Sequence, residues 1–151
     1  MDDAPLIRIA GPADVAALAA LRRAWTEEDY GRTADEGFEA RYAEWFGRES
    51  GRRVFWLAEA GGAPAGMVTL VTFERMPRPG RDSGSWGYLS NAYVAPGQRS
   101  RGVGSALLEA LLADAAERGF IRVVLRPSER AVPLYQRFGF AAENDLMVRE
   151  M

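Results

Sequence analysis

The chain contains no cysteine and no histidine. Without cysteine there is no disulfide, no thiolate metal site and no cysteine nucleophile. Without histidine the commonest general base, the commonest metal ligand and any Ser-His-Asp triad are gone, so no metal is expected. Lysine is missing too, since all 19 basic residues are arginine. That removes Schiff-base and P-loop lysine chemistry, and the bias itself reads as codon composition rather than function. No apolar run approaches the ~18 residues needed to cross a bilayer. A basic surplus is absent as well: the formal net charge is −2, which argues against a nucleic-acid partner. Residues 1–5 show no positive region ahead of an apolar run, so the chain reads as cytoplasmic, without a signal peptide or a membrane partner. Any chemistry falls to carboxylates, hydroxyls, tyrosines, arginines and backbone groups.

What is present suits one compact domain spanning 1–151, with 48% apolar residues to build its core. Leu6–Ala10 reads as a strand. Val15, Leu18, Leu21, Arg22 through its stem, and Trp25 follow helical spacing, and a second helical stripe runs through Phe38, Tyr42, Trp45 and Phe46. Arg53–Ala60 and Ala65–Phe73 form a hairpin about a turn at Gly61–Pro64, followed by an irregular loop, Arg75–Ser85. Trp86–Val94 is a strand stopped by Ala95-Pro96-Gly97. Gly102–Arg118 is a helix, Phe120–Leu125 a strand expected to be buried on both faces, and Glu129–Phe138 a short helix. Residues 140–150 are expected to add a final strand or hairpin. The fold class is α/β, a mixed sheet of six or seven strands flanked by about four helices.

One stretch carries chemistry: Tyr93-Val94-Ala95-Pro96-Gly97-Gln98-Arg99-Ser100-Arg101-Gly102-Val103-Gly104-Ser105. A strand ends, small residues follow, and a long helix begins. The first N–H groups of a helix lack partners within it, and the macrodipole adds partial positive charge there. Gly102 and Gly104 let a phosphate approach those N–H groups, and Arg99 and Arg101 add fixed charge. The pattern is a pyrophosphate cradle. It is not a P-loop, because no Gly-Lys-Ser/Thr follows, and it lacks the third glycine of the dinucleotide fingerprint.

Arg99-x-x-Gly102-x-Gly104, preceded by Tyr93-Val94-x-Pro96 and followed by Ala106-Leu107-Leu108, resembles the acyl-CoA loop of the GCN5-related N-acetyltransferase (GNAT) family. Ala131-x-x-Leu134-Tyr135-x-x-x-Gly139-Phe140 resembles that family's second signature. The resemblance is strong over 86–140 and topological only over 1–85. It implies a GNAT-type fold and acetyl-CoA as co-substrate, with the pantetheine arm lying where the fourth and fifth strands splay apart. Ala92, Tyr93 and Val94 would pair with that arm, and one of their N–H groups would polarise the thioester carbonyl. Such a donor typically contributes about 3 kcal/mol to lowering the barrier. The pyrophosphate would rest on the N–H groups of Arg99, Ser100, Arg101, Gly102, Val103, Gly104 and Ser105. Ser128 stands where many members carry an asparagine that touches the cofactor. Tyr135 matches the tyrosine beside the departing sulfur. Its ordinary pKa of ~10 exceeds the ~8.5 of a thiol, so hydrogen bonding to the developing thiolate is its physically modest role.

The implied activity is acetyl transfer to a primary amine of a small molecule or peptide, directly and in a ternary complex. Missing cysteine and histidine fit direct attack. Several family members place a glutamate near the start of the fourth strand as base; Tyr88 occupies that position, and the strand has no carboxylate. The base is then a water held by Tyr88, Ser90 or Asn91, or a carboxylate from the loop expected after the first helix, such as Glu27, Glu28 or Asp29. Trp25, Tyr30, Tyr88 and Asn91 are candidate substrate contacts, while Arg75, Arg78 and Arg81 read as a solvated loop. The alternatives are a non-catalytic acyl-CoA sensor and a protein N-acetyltransferase. By analogy with the fold, exposed edge strands also leave room for a homodimer.

Overall fold

The computed structural model describes residues 4–143 and 145–151. Along it run β1 (Leu6–Ile9), α1 (Val15–Tyr30), α2 (Phe38–Glu49), β2 (Arg53–Ala60), β3 (Ala63–Glu74), β4 (Ser85–Val94), α3 (Val103–Glu117), β5 (Phe120–Val124) and α4 (Val132–Arg137). Single 3₁₀ turns at Pro12–Asp14, Pro96–Gln98 and Glu129–Ala131 lead into α1, the α3 loop and α4. The strands lie in chain order in one sheet, antiparallel from β1 to β4 and parallel between β4 and β5. Helix α3 supplies the crossover that a parallel pair requires. No described helix is long and apolar enough to cross a membrane.

Side chains alternate across the sheet, so each face has its own core. On one face Trp56, Val68, Leu70 and Leu89 pack against Val103, Leu107, Leu108 and Leu111 of α3 and Tyr135 of α4. On the other, Phe55, Leu57, Met67 and Tyr93 pack against Leu18 and Leu21 of α1 and Tyr42 and Phe46 of α2. The rings of Tyr42, Trp45, Phe46 and Phe55 meet at 4.6–5.6 Å, tying α2 to β2.

Three expectations need correction. The hairpin turn is two residues, Gly61-Gly62, both at positive φ, so β3 starts at Ala63. Strand β5 is not buried on both faces: only β4 pairs with it, and Ile121 is 53% exposed. The final strand does not form among the described residues, which leaves five strands rather than six or seven. Residues 140–151 contain no glycine or proline to close a hairpin, and Leu146, Met147 and Val148 stand exposed. Asn144, within that expected strand, lies outside the described residues.

Candidate active site at the β4–β5 gap

Strands β4 and β5 pair only through Ser85–Phe120, Gly87–Val123 and Tyr88–Val124. Beyond Tyr88 the strands part, so the β5-side edge of β4 from Leu89 to Val94 has no strand partner. Strand β4 also bulges. Met67 faces Tyr93 and Thr69 faces Ser90, so the stretch from Ser90 to Tyr93 has one residue more than its partner. Asn91 takes the extra turn at φ 55, a left-handed conformation that asparagine tolerates better than most side chains. The N–H of Ala95 donates to Ala65 O on the β3 side at 2.8 Å. Alternation then turns the N–H and C=O of Val94 into the gap.

A cavity of about 770 Å³ fills this gap. Its walls include Ala92, Tyr93 and Val94 from β4, the α3 loop from Gln98 to Ser105 except Arg101, Ser128, and Leu134 and Tyr135 from α4. Gly102 caps α3 at φ 81, which a residue with a Cβ adopts only under strain. Ala106 is the first α3 residue whose N–H finds a backbone partner, Gly102 O at 2.9 Å, so the N–H groups of Val103, Gly104 and Ser105 face the cavity mouth unpaired among the described residues. A Cβ on Gly104 would lie 3.3 Å from Leu134 Cδ2, so glycine there keeps α3 close to α4. Arg101 is exposed and outside the lining.

Arg99 is already engaged. Its guanidinium donates to both oxygens of Glu28 at 2.7 and 2.8 Å, and its Nε donates to Val94 O at 3.0 Å. Tyr93 donates its hydroxyl to Glu28 at 3.0 Å and stacks on Trp25 at 5.6 Å. These contacts tie the C-terminal half of α1 to the end of β4 and the loop after it. Arg99 beside it holds the Glu28 carboxyl below the usual carboxylate range. Burial, then the Glu28 carboxylate, pushes the Tyr93 hydroxyl up. Tyr135 is buried edge-on to Phe140, and burial raises its hydroxyl above 10.0, so it stays protonated as a hydrogen-bond donor across the physiological range.

A second cavity of about 270 Å³ lies on the other side of the bulge, between α1, α2 and β3. Arg22, Phe38, Tyr42 and Trp45 form its walls and Asn91 its floor, while Met67 borders both cavities. Ala92 and Asn91, neighbours in the bulge, therefore face different cavities. Below Asn91, Arg53 donates to Thr69 Oγ1 at 3.1 Å, Ser90 Oγ at 3.2 Å and Asn91 Oδ1 at 3.4 Å, and it pairs with Glu49 at 3.3 Å.

Among the candidate substrate contacts, Asn91 lines the second cavity, and Trp25 lines the first instead. Tyr30 and Tyr88 line neither. Tyr30 ends α1 and is 83% exposed, and Tyr88 sits where β4 and β5 are still paired. Arg75, Arg78 and Arg81 are exposed away from both cavities, as a solvated loop should be. Sequence reasoning missed Arg130 and Arg137 in the first cavity, although one directly precedes the second signature and the other lies within it, and Arg22 and Arg53 in and below the second. For Arg22 the only sequence signal was its place on the core-facing stripe of α1.

A sheet splayed beside a bulge, opening on unpaired N–H groups at a glycine-rich helix start, is the arrangement that the resemblance of the two signatures implied. The model of the Acetyltransferase (GNAT) family matches residues 18–140, and the chain belongs to that family. It is 30% identical over 86 residues to a glucosamine 6-phosphate N-acetyltransferase of Trypanosoma brucei brucei, a match covering 57% of this chain and 56% of that protein. The chain thus spans little more than half of that relative. The crystal structure of a GCN5-related N-acetyltransferase from Ralstonia eutropha JMP134 superposes with a TM-score of 0.74 at 28% identity, covering 97% of this chain and 99% of the other. A predicted acetyltransferase from Clostridium acetobutylicum, crystallised with acetyl-CoA, superposes with a TM-score of 0.77 at 21% identity over 97% and 96% of the two chains.

Proposed function

We propose that the protein transfers the acetyl group of acetyl-CoA directly to a primary amine of a small molecule, with both substrates bound at once. The observation that carries this reading is the bulge at Asn91-Ala92, which sets two cavities back to back. The larger fits acetyl-CoA by its own chemistry: a cradle of free N–H groups at Val103–Ser105 for the pyrophosphate, a free strand edge for the pantetheine amides, and a buried tyrosine farther in. Acetyl-CoA supplies an acyl group activated as a thioester. The chain's residues do the rest. Gap-facing N–H groups such as that of Val94 hold the carbonyl oxygen as charge builds on it. Tyr135 donates a hydrogen bond to the departing sulfur and delivers a proton as its charge grows. The amine lone pair forms the new C–N bond as the C–S bond breaks, and the amine gives up one proton.

Glu28 is poorly suited to take that proton. Its oxygens accept from Arg99 and Tyr93, and its pKa is held low. A water on the Ser90–Asn91 side of the bulge is the better acceptor. A second reading, a non-catalytic acyl-CoA-binding module, draws support from the second cavity, whose described lining has no carboxylate. Calorimetric titration with acetyl-CoA, followed by thiol release across an amine panel, separates the readings. Binding with amine-dependent thiol release is expected. Binding without release favours the module, and no binding at hundreds of micromolar ends the cofactor assignment.

A further inference from the structure

The smaller cavity holds an unbalanced charge. Its described lining contains two guanidiniums, Arg22 and Arg41, and no carboxylate. Arg41 is neutralised by both oxygens of Asp35. Arg53, beneath the floor, has Glu49. The next residue on α1, Arg23, is fully occupied by Glu27, Glu39 and two loop carbonyls. Of these four arginines only Arg22 has no acidic partner among the described residues; the residue is partly buried, and its guanidinium carbon lies 4.4 Å from the centre of the Trp25 ring. A guanidinium without a counter-ion pairs best with a carboxylate or phosphate, which it grips through two parallel hydrogen bonds. The walls around it are the rings of Phe38, Tyr42 and Trp45, and the polar floor is Asn91.

We infer that Arg22 is the specificity-determining residue of the acceptor site, and that the acceptor is a small amine carrying its own carboxylate or phosphate. This rests on the acetyl-transfer reading of the bulge and adds the substrate class. The acid end sits on Arg22 and the amine end at the Asn91 bulge, beside the gap where the acyl group arrives. At about 270 Å³ the cavity falls below the range that holds drug-sized ligands, so the acceptor is a compact molecule.

The test uses the whole chain and matched acceptors: free amino acids against their amides, and amino sugar phosphates against the unphosphorylated sugars. At least one acid should exceed its neutral partner tenfold or more in kcat/KM, and which series does so tells carboxylate from phosphate. Arg22→Gln should lower kcat/KM for the acids at least tenfold, mostly through KM, and for their neutral partners by much less, and be partly rescued by Arg22→Lys. Calorimetric binding of the same compounds to the protein with CoA gives a readout independent of turnover. Acids and neutral partners within twofold of each other in every pair, no acid binding at all, or equal losses for both in Arg22→Gln would overturn the inference. Failure of acetyl-CoA itself to bind would sink the acetyl-transfer reading instead, because acid binding is measurable without the acyl donor.

Discussion

Tyr135 and Glu28 divide the titratable work of the larger cavity by their surroundings. Tyr135 has only burial acting on it, which keeps its proton on and makes it a donor. Glu28 faces Arg99, which keeps its proton off and binds its lone pairs. Acetylation of amines should therefore depend on the Tyr135 hydroxyl and not merely on its ring. Tyr135→Phe retains the packing on Phe140 and should leave acetyl-CoA affinity within twofold while lowering kcat by about 10²-fold, the low end for proton-transfer catalysis. Steady-state thiol release and calorimetry measure the two quantities, and an unchanged kcat would remove the tyrosine from the mechanism.

At the scale of elements, the site depends on how β4 is bent. Its first half, Ser85–Tyr88, is held between β3 and β5, and its second half is paired only with β3. The bulge at Asn91 turns adjacent residues toward opposite cavities at the cost of a left-handed residue, typically 1–3 kcal/mol when it is not glycine. Asn91→Gly relieves that strain and should fold at least as stably, with acetyl-CoA affinity preserved. Asn91→Val places a β-branched side chain where φ is positive; it should destabilise the protein by a similar 1–3 kcal/mol and weaken acetyl-CoA at least tenfold. Thermal melts with cofactor titrations of both variants test this, and equal behaviour of the two would show that the bulge does not shape the site.

For the whole molecule, acid and base both act on groups whose pKa values change on folding. Asp14, Asp35, Glu39, Glu49 and Glu59 are all held below their ordinary 3.8 or 4.5 by arginines, Asp14 and Glu59 by the shared Arg8. The unfolded chain then takes up protons first as pH falls, so the stability these pairs add is complete above about 4.5 and is lost as pH drops through the lowered values. Burial acts the opposite way on tyrosines, pushing Tyr42 up to about 12. That contribution is present below 10 and is lost as pH rises toward 12. The melting temperature should be flat from about pH 5.5 to 9 and fall on both sides, with the acid flank shallower in high salt because the Arg41–Asp35 and Arg23–Glu39 pairs are exposed. A melting temperature that rises between pH 5 and 3 would contradict these assignments.

The α3 helix, the hairpin and the cradle at Gly102–Ser105 were legible in the sequence because each is set by residues within a turn or two of one another. Apolar spacing marks a helix face and paired glycines mark a turn, although the spacing suggested a turn of four residues, Gly61–Pro64, where the chain closes it in two. The family resemblance carried by the two signatures singled out Ala92, Val94 and Tyr135, and all three line one cavity. Only the tertiary structure decided which side of the bulge Asn91 faces, that Arg99 is pinned by Glu28 of α1, and that Arg22 is left without a counter-charge among the described residues. It also decided that β5 is an edge and that Tyr30 and Tyr88 lie away from both cavities. These are matters of register and of contacts between segments tens of residues apart, and a chain's local preferences do not fix which distant carboxylate an arginine will meet.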